Sequence, residues 1–364
     1  MERCKFARPS VSIIAAALTA IALSVNHAPG ASAQSANYKK QFSLARSPDD
    51  VEFTKRGGIA VVRASQHYPD QIIGPQPSDD LVVVVNPTNG TRILIQPANK
   101  CAPFALTQPA GAADLVAASE ARAVLIGQRH WTSGAIAGQY TSVNVLDLTD
   151  AYGVNGPICI KSWSKAEAGF VSDVDITPDG RFSVVNHRGA ISVFRIDGAT
   201  VPDPVEFGTS GGNPTRQRNS VAMSRIETPG APVKCVVTTV RDVGGTQRIW
   251  AYVLDLAGSA PILDAALEIN ASNPSENSPG HDLRLTPDET MAVVSADGVI
   301  ALIDLTVSPA VIRGELSDPN AERNYDNLAD SLILTNTQAV VLSSDRGNPS
   351  GQWQADVFDI SSGP

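Results

Sequence analysis

Short apolar stretches alternate with polar positions along this chain and are broken by clusters of turn-forming residues, the pattern of β-strands joined by tight turns. ISVFRI (191–196) has the period of two that sends successive side chains to opposite faces of a sheet. LVVVV (81–85) and VKCVVTTV (233–240) are read as further apolar strands. TPDG at 177–180 predicts a tight turn with glycine at positive φ, and NPTNGT at 86–91 predicts a hairpin. AGAADLVAASEARAVLIG (110–127) has the alanine content of a helix, yet its alignment with the rest of the chain predicts two strands.

That alignment exists because the chain repeats. SDVDITPDGRFSVVNHRGAISVFRID (172–197) and HDLRLTPDETMAVVSADGVIALIDL (281–305) share one plan: an Asp, a first strand, a Thr-Pro-Asp turn, a second strand, a short turn and a third strand. Further copies begin at Asp50, Asp114, Asn219 and Asp330, and the starts lie 46 to 64 residues apart. A second marker runs in step with the first. The third strand of each unit closes on an apolar pair and a polar residue, at Asn86, Asp147, Arg195, Asp255, Asp304 and Asp359. A meander of this size cannot bury both faces alone, so the repeat predicts a six-bladed β-propeller of four-stranded antiparallel blades, with seven blades the alternative. The last unit runs out of chain after its third strand, so a strand at 38–46 is expected to complete it.

The DITPDGR…VVN…GAISVFRI pattern, together with VVVVNPTNGTRIL in the first unit, resembles YVTN-type and lactonase-like β-propellers. The resemblance covers most of the chain beyond the N-terminus and lies in blade-building positions. It implies the architecture. It carries no catalytic residue across, because the His-Pro-His element of lactonase-like propellers does not occur here.

The N-terminus reads differently from the repeats. Arg3, Lys5 and Arg8 precede an apolar run at 11–25, and Ala31-Ser32-Ala33 follows, so residues 1–33 are read as a cleavable signal peptide with cleavage near Ala33. Residues 34–364 are then a single propeller domain, secreted or periplasmic, with no membrane span in the mature chain. The full chain carries 28 basic and 37 acidic side chains, an acidic balance that excludes a nucleic-acid partner. Export permits a disulfide. Of Cys101, Cys159 and Cys235, the first two are expected to pair where neighbouring blades meet, and Cys235, inside an apolar strand, to stay buried and free.

Chemistry in such a fold belongs to its loops. The B–C loops and the D–A crossovers share one face, where the reading collects His67, Arg129, His130, His187, Arg188, Arg241, His281 and Arg346 as ligand-binding candidates. Arginine forks suit anions, and Tyr68, Trp131 and Tyr140 add ring faces. The recurring aspartates are read as architectural, each accepting backbone N–H groups, and no metal or other cofactor is expected. GTSGGNPTRQR (208–218) is read as a crossover loop and not a phosphate cradle, since no helix follows it. GTSGG (208–212) spells G-x-S-x-G but has no helix after it to form a nucleophile elbow, and no H-E-x-x-H or Walker-type motif occurs. The expected function is therefore a ligand- or protein-binding module acting through its loop-rich face, on a small polar ligand or an exported protein. The alternative is a lactonase-like hydrolase of a small anionic substrate.

Overall fold

The computed structural model describes residues 48–53, 58–64, 81–86, 92–94, 111–131, 138–152, 156–166, 171–187, 190–208, 220–225, 233–243, 246–270, 282–296, 299–317, 323–324, 332–345 and 354–361. The chain divides into Met1–Lys39 and Lys40–Pro364, and every described residue belongs to the second unit. All the regular structure described is β. The first sheet holds β1 (Pro48–Phe53), β2 (Ala60–Ala64), β3 (Leu81–Val85) and β4 (Arg92–Leu94). The second holds β5 (Gly111–Ala118), β6 (Arg122–Trp131), β7 (Gly138–Asp147) and β8 (Ile158–Ala166). The third holds β9 (Val171–Ile176), β10 (Phe182–His187), β11 (Ala190–Arg195) and β12 (Val205–Gly208). The fourth holds β13 (Val221–Met223), β14 (Lys234–Val243), β15 (Thr246–Asp255) and β16 (Ile262–Ile269). The fifth holds β17 (Asp282–Leu285), β18 (Met291–Ala296), β19 (Val299–Asp304) and β20 (Val311–Ser317). In the sixth, β21 (Arg323–Asn324) and β22 (Leu332–Leu334) both pair with β23 (Gln338–Asp345), which pairs in turn with β24 (Gln354–Asp359).

The first five sheets are antiparallel meanders in chain order. Their first strands then succeed one another, β1 beside β5, β5 beside β9, β9 beside β13, β13 beside β17, and β17 beside β22. Sheets stacked in this way through their first strands are the blades of a β-propeller. The expected strand at 38–46 lies outside the described residues.

The apolar residues explain the stacking. Alternation sends Val184 and Val185 to opposite faces of blade three, and both are fully buried. Val185, Phe194 and Ile196 join Val124, Val143 and Val145 of blade two in one core. Val184, Ile191 and Val193 join Cys235, Val237 and Leu254 of blade four in another. Blades four and five share a third core, and blades five and six a fourth. Blades two to five are thus each the wall of two of these cores, which is why apolar residues occur on both faces of their central strands.

A hydroxyl at the A–B turn repeats five times. Thr177 Oγ1 accepts the Phe182 N–H at 2.9 Å, and the Thr177 N–H donates to the Phe182 carbonyl at 2.9 Å. Ser119 with Arg122, Ser224 with Lys234, Thr286 with Met291 and Thr335 with Gln338 form the same clasp. At the other turn, the Asp that closes the third strand accepts the N–H two residues on, at Asp147, Asp255, Asp304 and Asp359. These aspartates are structural, as expected.

The aspartates at the unit starts divide into two groups. Asp173 Oδ2 accepts the Val221 N–H of the next blade at 2.9 Å, and Asp282 Oδ2 accepts the Leu332 N–H at 3.0 Å. Each therefore ties one first strand to the next. Asp173 and Asp282 stand four residues before their clasp hydroxyls, whereas Asp114 and Asp330 stand five before theirs. Counted from the clasp, the latch position holds Leu115 in blade two, Ser220 in blade four and Ser331 in blade six. Clasped turns of unequal length hide this offset when spacing is counted from the Asp alone.

Cys235 is buried and free, as expected. Cys159, on β8, is disulfide-bonded. Cys101 lies outside the described residues.

Candidate functional site

Antiparallel order puts the B–C hairpin tips at one end of the blades and the A–B turns at the other. Of the eight expected ligand residues, His67, Arg188, His281 and Arg346 lie outside the described residues. Arg129 and His130 lie within β6, paired with Tyr140 and Gln139 of β7. The B–C loop expected to carry them is therefore strand at 128–131 and 138–142, because the two strands continue well past the blade core. Their side chains fall outside the described set.

His187 is a core residue. It is 1% exposed, and its Nε2 lies 2.7 Å from Ser192 Oγ. Its ring tilts against Trp163 of blade two at 6.2 Å, and Trp163 in turn meets Phe194 edge-on at 5.4 Å. Alternation aims His187 with Val185 into the core shared with blade two, and so away from the loop face.

Arg241 is placed by a different geometry. β14 and β15 are ten residues each, against six for β10 and β11. The additional pairs carry the blade-four hairpin beyond its neighbour. On the side facing blade three, Thr239 then Arg241 on β14, and Tyr252 then Trp250 on β15, run outward from Val237 and Leu254, with Thr239 opposite Trp250 and Val237 opposite Tyr252. The guanidinium lies over the Trp250 ring, 4.5 Å from Cζ to centroid, and its Nη1 donates to the Tyr252 hydroxyl at 3.2 Å. Burial pushes the Tyr252 phenol above its ordinary pKa, against the opposing pull of Arg241. Below them Asn186 of β10 donates through Nδ2 to Ser220 Oγ at 2.9 Å and to the Thr238 carbonyl at 3.0 Å, crossing between the blades.

Polar atoms without hydrogen-bond partners gather at this junction. Asn186 Oδ1, Thr239 Oγ1, Arg241 Nε and Trp250 Nε1 are all buried and all unpartnered. Asn186 and Thr239 are themselves 0% and 1% exposed. The Thr239 hydroxyl lies beside the Tyr252 phenol and helps Arg241 to lower its pKa. An orphaned buried polar group costs about 1–3 kcal/mol, so a cluster of them is an expensive feature for a fold to keep. Sequence reading found Arg241 and missed Asn186, Thr239, Trp250 and Tyr252. The register in which Val243 pairs with Thr246 places Thr239 opposite Trp250, and spacing along the chain does not show it.

A second polar cluster occupies the A–B end. Arg225 Nη2 donates to both Asp175 oxygens, at 2.8 and 2.9 Å, and the Arg225 N–H donates to Glu289 Oε1, so blades three, four and five are linked. Next to it, burial raises the Asp173 carboxyl to about 7, against the Val221 N–H that favours its charged form. Every group here has a partner, which marks a structural tie. Among the described residues no three metal-ligating side chains converge.

No family model matches the chain, and no curated protein matches it. Solved structures do align over most of its length. An α-L-arabinanase of Penicillium chrysogenum complexed with arabinobiose aligns at 10% identity over 86% of this chain and 93% of its own, with a TM-score of 0.43. The Cps50 (Swd1) β-propeller domain of Myceliophteria thermophila aligns at 11% identity over 89% of each chain, with a TM-score of 0.42. Dihydro-heme d1 dehydrogenase NirN aligns at 16% identity over 89% of this chain and 66% of its own, again at 0.42. At such distances the fold rests on the chain's own sheets, and none of these activities transfers. No helix among the described residues is long and apolar enough to cross a membrane.

Proposed function

We propose that this chain is an exported β-propeller of the YVTN-like kind, secreted or periplasmic once residues 1–33 are removed, that works as a binding module through its hairpin face. The observation that carries the reading is Arg241. It is a cation stacked on Trp250 and tied to Tyr252, with its Nε unused and no carboxylate paired to it among the described residues. A fixed guanidinium beside an aromatic face is a recognition element for a small polar or anionic ligand. The alternative of a hydrolase that uses a face histidine as base draws no support from His187, which is buried and bonded to Ser192.

A thermal-shift screen of the purified chain against organic acids, sugars, lactones and divalent metals tests the binding reading. The expected result is stabilisation by at least one class that is lost in Arg241→Ala. Turnover of a lactone that survives that substitution would favour the hydrolase. Export is tested by N-terminal sequencing of the secreted product, which should begin at Gln34.

A further inference from the structure

We propose that the junction between blades three and four is a carboxylate site, in which Arg241 Nε, Trp250 Nε1 and the Thr239 hydroxyl hold a single carboxylate group over the Tyr252 phenol. The inference rests on the binding reading and names the ligand class for it.

Three observations select a carboxylate. The first is the donor set. Arg241 Nε and Trp250 Nε1 can only donate hydrogen bonds, and Thr239 Oγ1 can donate, so the unpartnered groups ask for an acceptor with more than one oxygen. The second is charge. Among the described residues the junction offers one uncommitted cation, because Arg248, opposite Arg241 in register, is ion-paired with Glu268 of β16. One guanidinium neutralises a monoanion; a phosphate, carrying more charge and further oxygens, would bury charge without compensation. The third is placement. The Tyr252 bond and the Trp250 ring hold the guanidinium beside the other unpartnered donors, so a ligand that parts them from the hairpin end meets all of them together. Asn186 Oδ1, an acceptor at the base of the junction, adds a preference for a ligand that carries a hydroxyl or N–H near its carboxylate. Arg241 is only partly buried, so the ligand approaches from the hairpin end.

The same carboxylate can come from a free organic acid or from the C-terminus of a peptide. The experiment therefore titrates the purified chain with lactate, propionate, inorganic phosphate and glucose, and with one tetrapeptide in its free-acid and amidated forms. Trp250 fluorescence and thermal shift are the readouts. Saturable quenching by lactate or by the free-acid peptide is expected, with lactate the tighter of the two small acids. Arg241→Lys should weaken it at least 10-fold, and Trp250→Phe and Thr239→Val should each weaken it severalfold. Response to the free-acid peptide but not to lactate assigns the peptide source; the reverse assigns the free acid. His187→Ala, on the opposite face of blade three, should leave the affinity unchanged. Carboxylate binding that Arg241→Lys does not alter would overturn the proposal, as would stronger binding of phosphate. If glucose alone binds and Arg241→Ala abolishes that binding, the carboxylate assignment falls and the binding reading stands. If no compound binds at millimolar concentration, and a crystal structure finds only water against Trp250 Nε1, both fall.

Discussion

Blade three meets a neighbour on each side, and the two meetings are built from matching positions to opposite ends. Counted from the clasp, His187 in blade three and Thr239 in blade four occupy the same place on their second strands, and Ser192 and Tyr252 the same place on their third. Towards blade two, His187 bonds Ser192 at 2.7 Å and is roofed by Trp163. Towards blade three, Thr239 finds no partner, and Arg241 and Trp250 beside it keep N–H groups unused. One junction has spent its polar groups on itself and the other has not. Polarity at a hairpin end is therefore a poor marker of a site; unsatisfied polarity is a better one.

The contrast can be broken from either side. The largest effect is expected from Phe194→Ala, which empties the edge contact with Trp163 inside the blade two–three core and should cost about 3–5 kcal/mol in urea unfolding. A comparable loss of ligand response would contradict the division between the two junctions. Next comes pH. Folding raises the Asp173 carboxyl from 3.8 to about 7, so the folded chain holds a proton that the unfolded chain has released. That contribution is full below the unfolded value, and is lost as pH rises through about 7. Asp173→Asn should flatten this fall in unfolding profiles between pH 4 and pH 8, while lactate affinity keeps its own pH dependence.

A smaller loss, about 1–3 kcal/mol, is expected for His187→Ala, because Ser192 is left buried beside a void. Thermal unfolding would measure it. Smallest is Thr239→Val, near-isosteric and free of the orphaned hydroxyl, which should gain about 1 kcal/mol in stability while weakening carboxylate binding. A variant that is both less stable and unaltered in binding would place Thr239 among ordinary core residues.

Blade architecture was legible in the sequence because it depends on local signals: alternation, the Thr-Pro-Asp turn, and a polar residue, most often Asp, at the end of each third strand. Even the alanine-rich 110–127 region forms the two strands its alignment predicts. The latch was half legible. An Asp near the start of a unit is visible, but Asp114 stands one residue out of phase with Asp173, and alternation turns one residue into the opposite face. The candidate site was least legible. Arg241 drew notice as a charge near a hairpin, but its partners stand nine and eleven residues away on the return strand, in the register that pairs Val243 with Thr246. His187 drew the same notice for the same reason, and only its burial shows that it has a different task.

Each apolar core described here belongs to two adjacent blades and to no others. Opening at one junction then loosens first the two blades that share its core, and reaches other blades only through them. Amide exchange should be slow in β6, β10, β14 and β18, each in a blade covered by these cores on both faces. A ligand seated between blades three and four would act on that junction first, and would slow exchange in β10 and β14 more than in blades it does not touch.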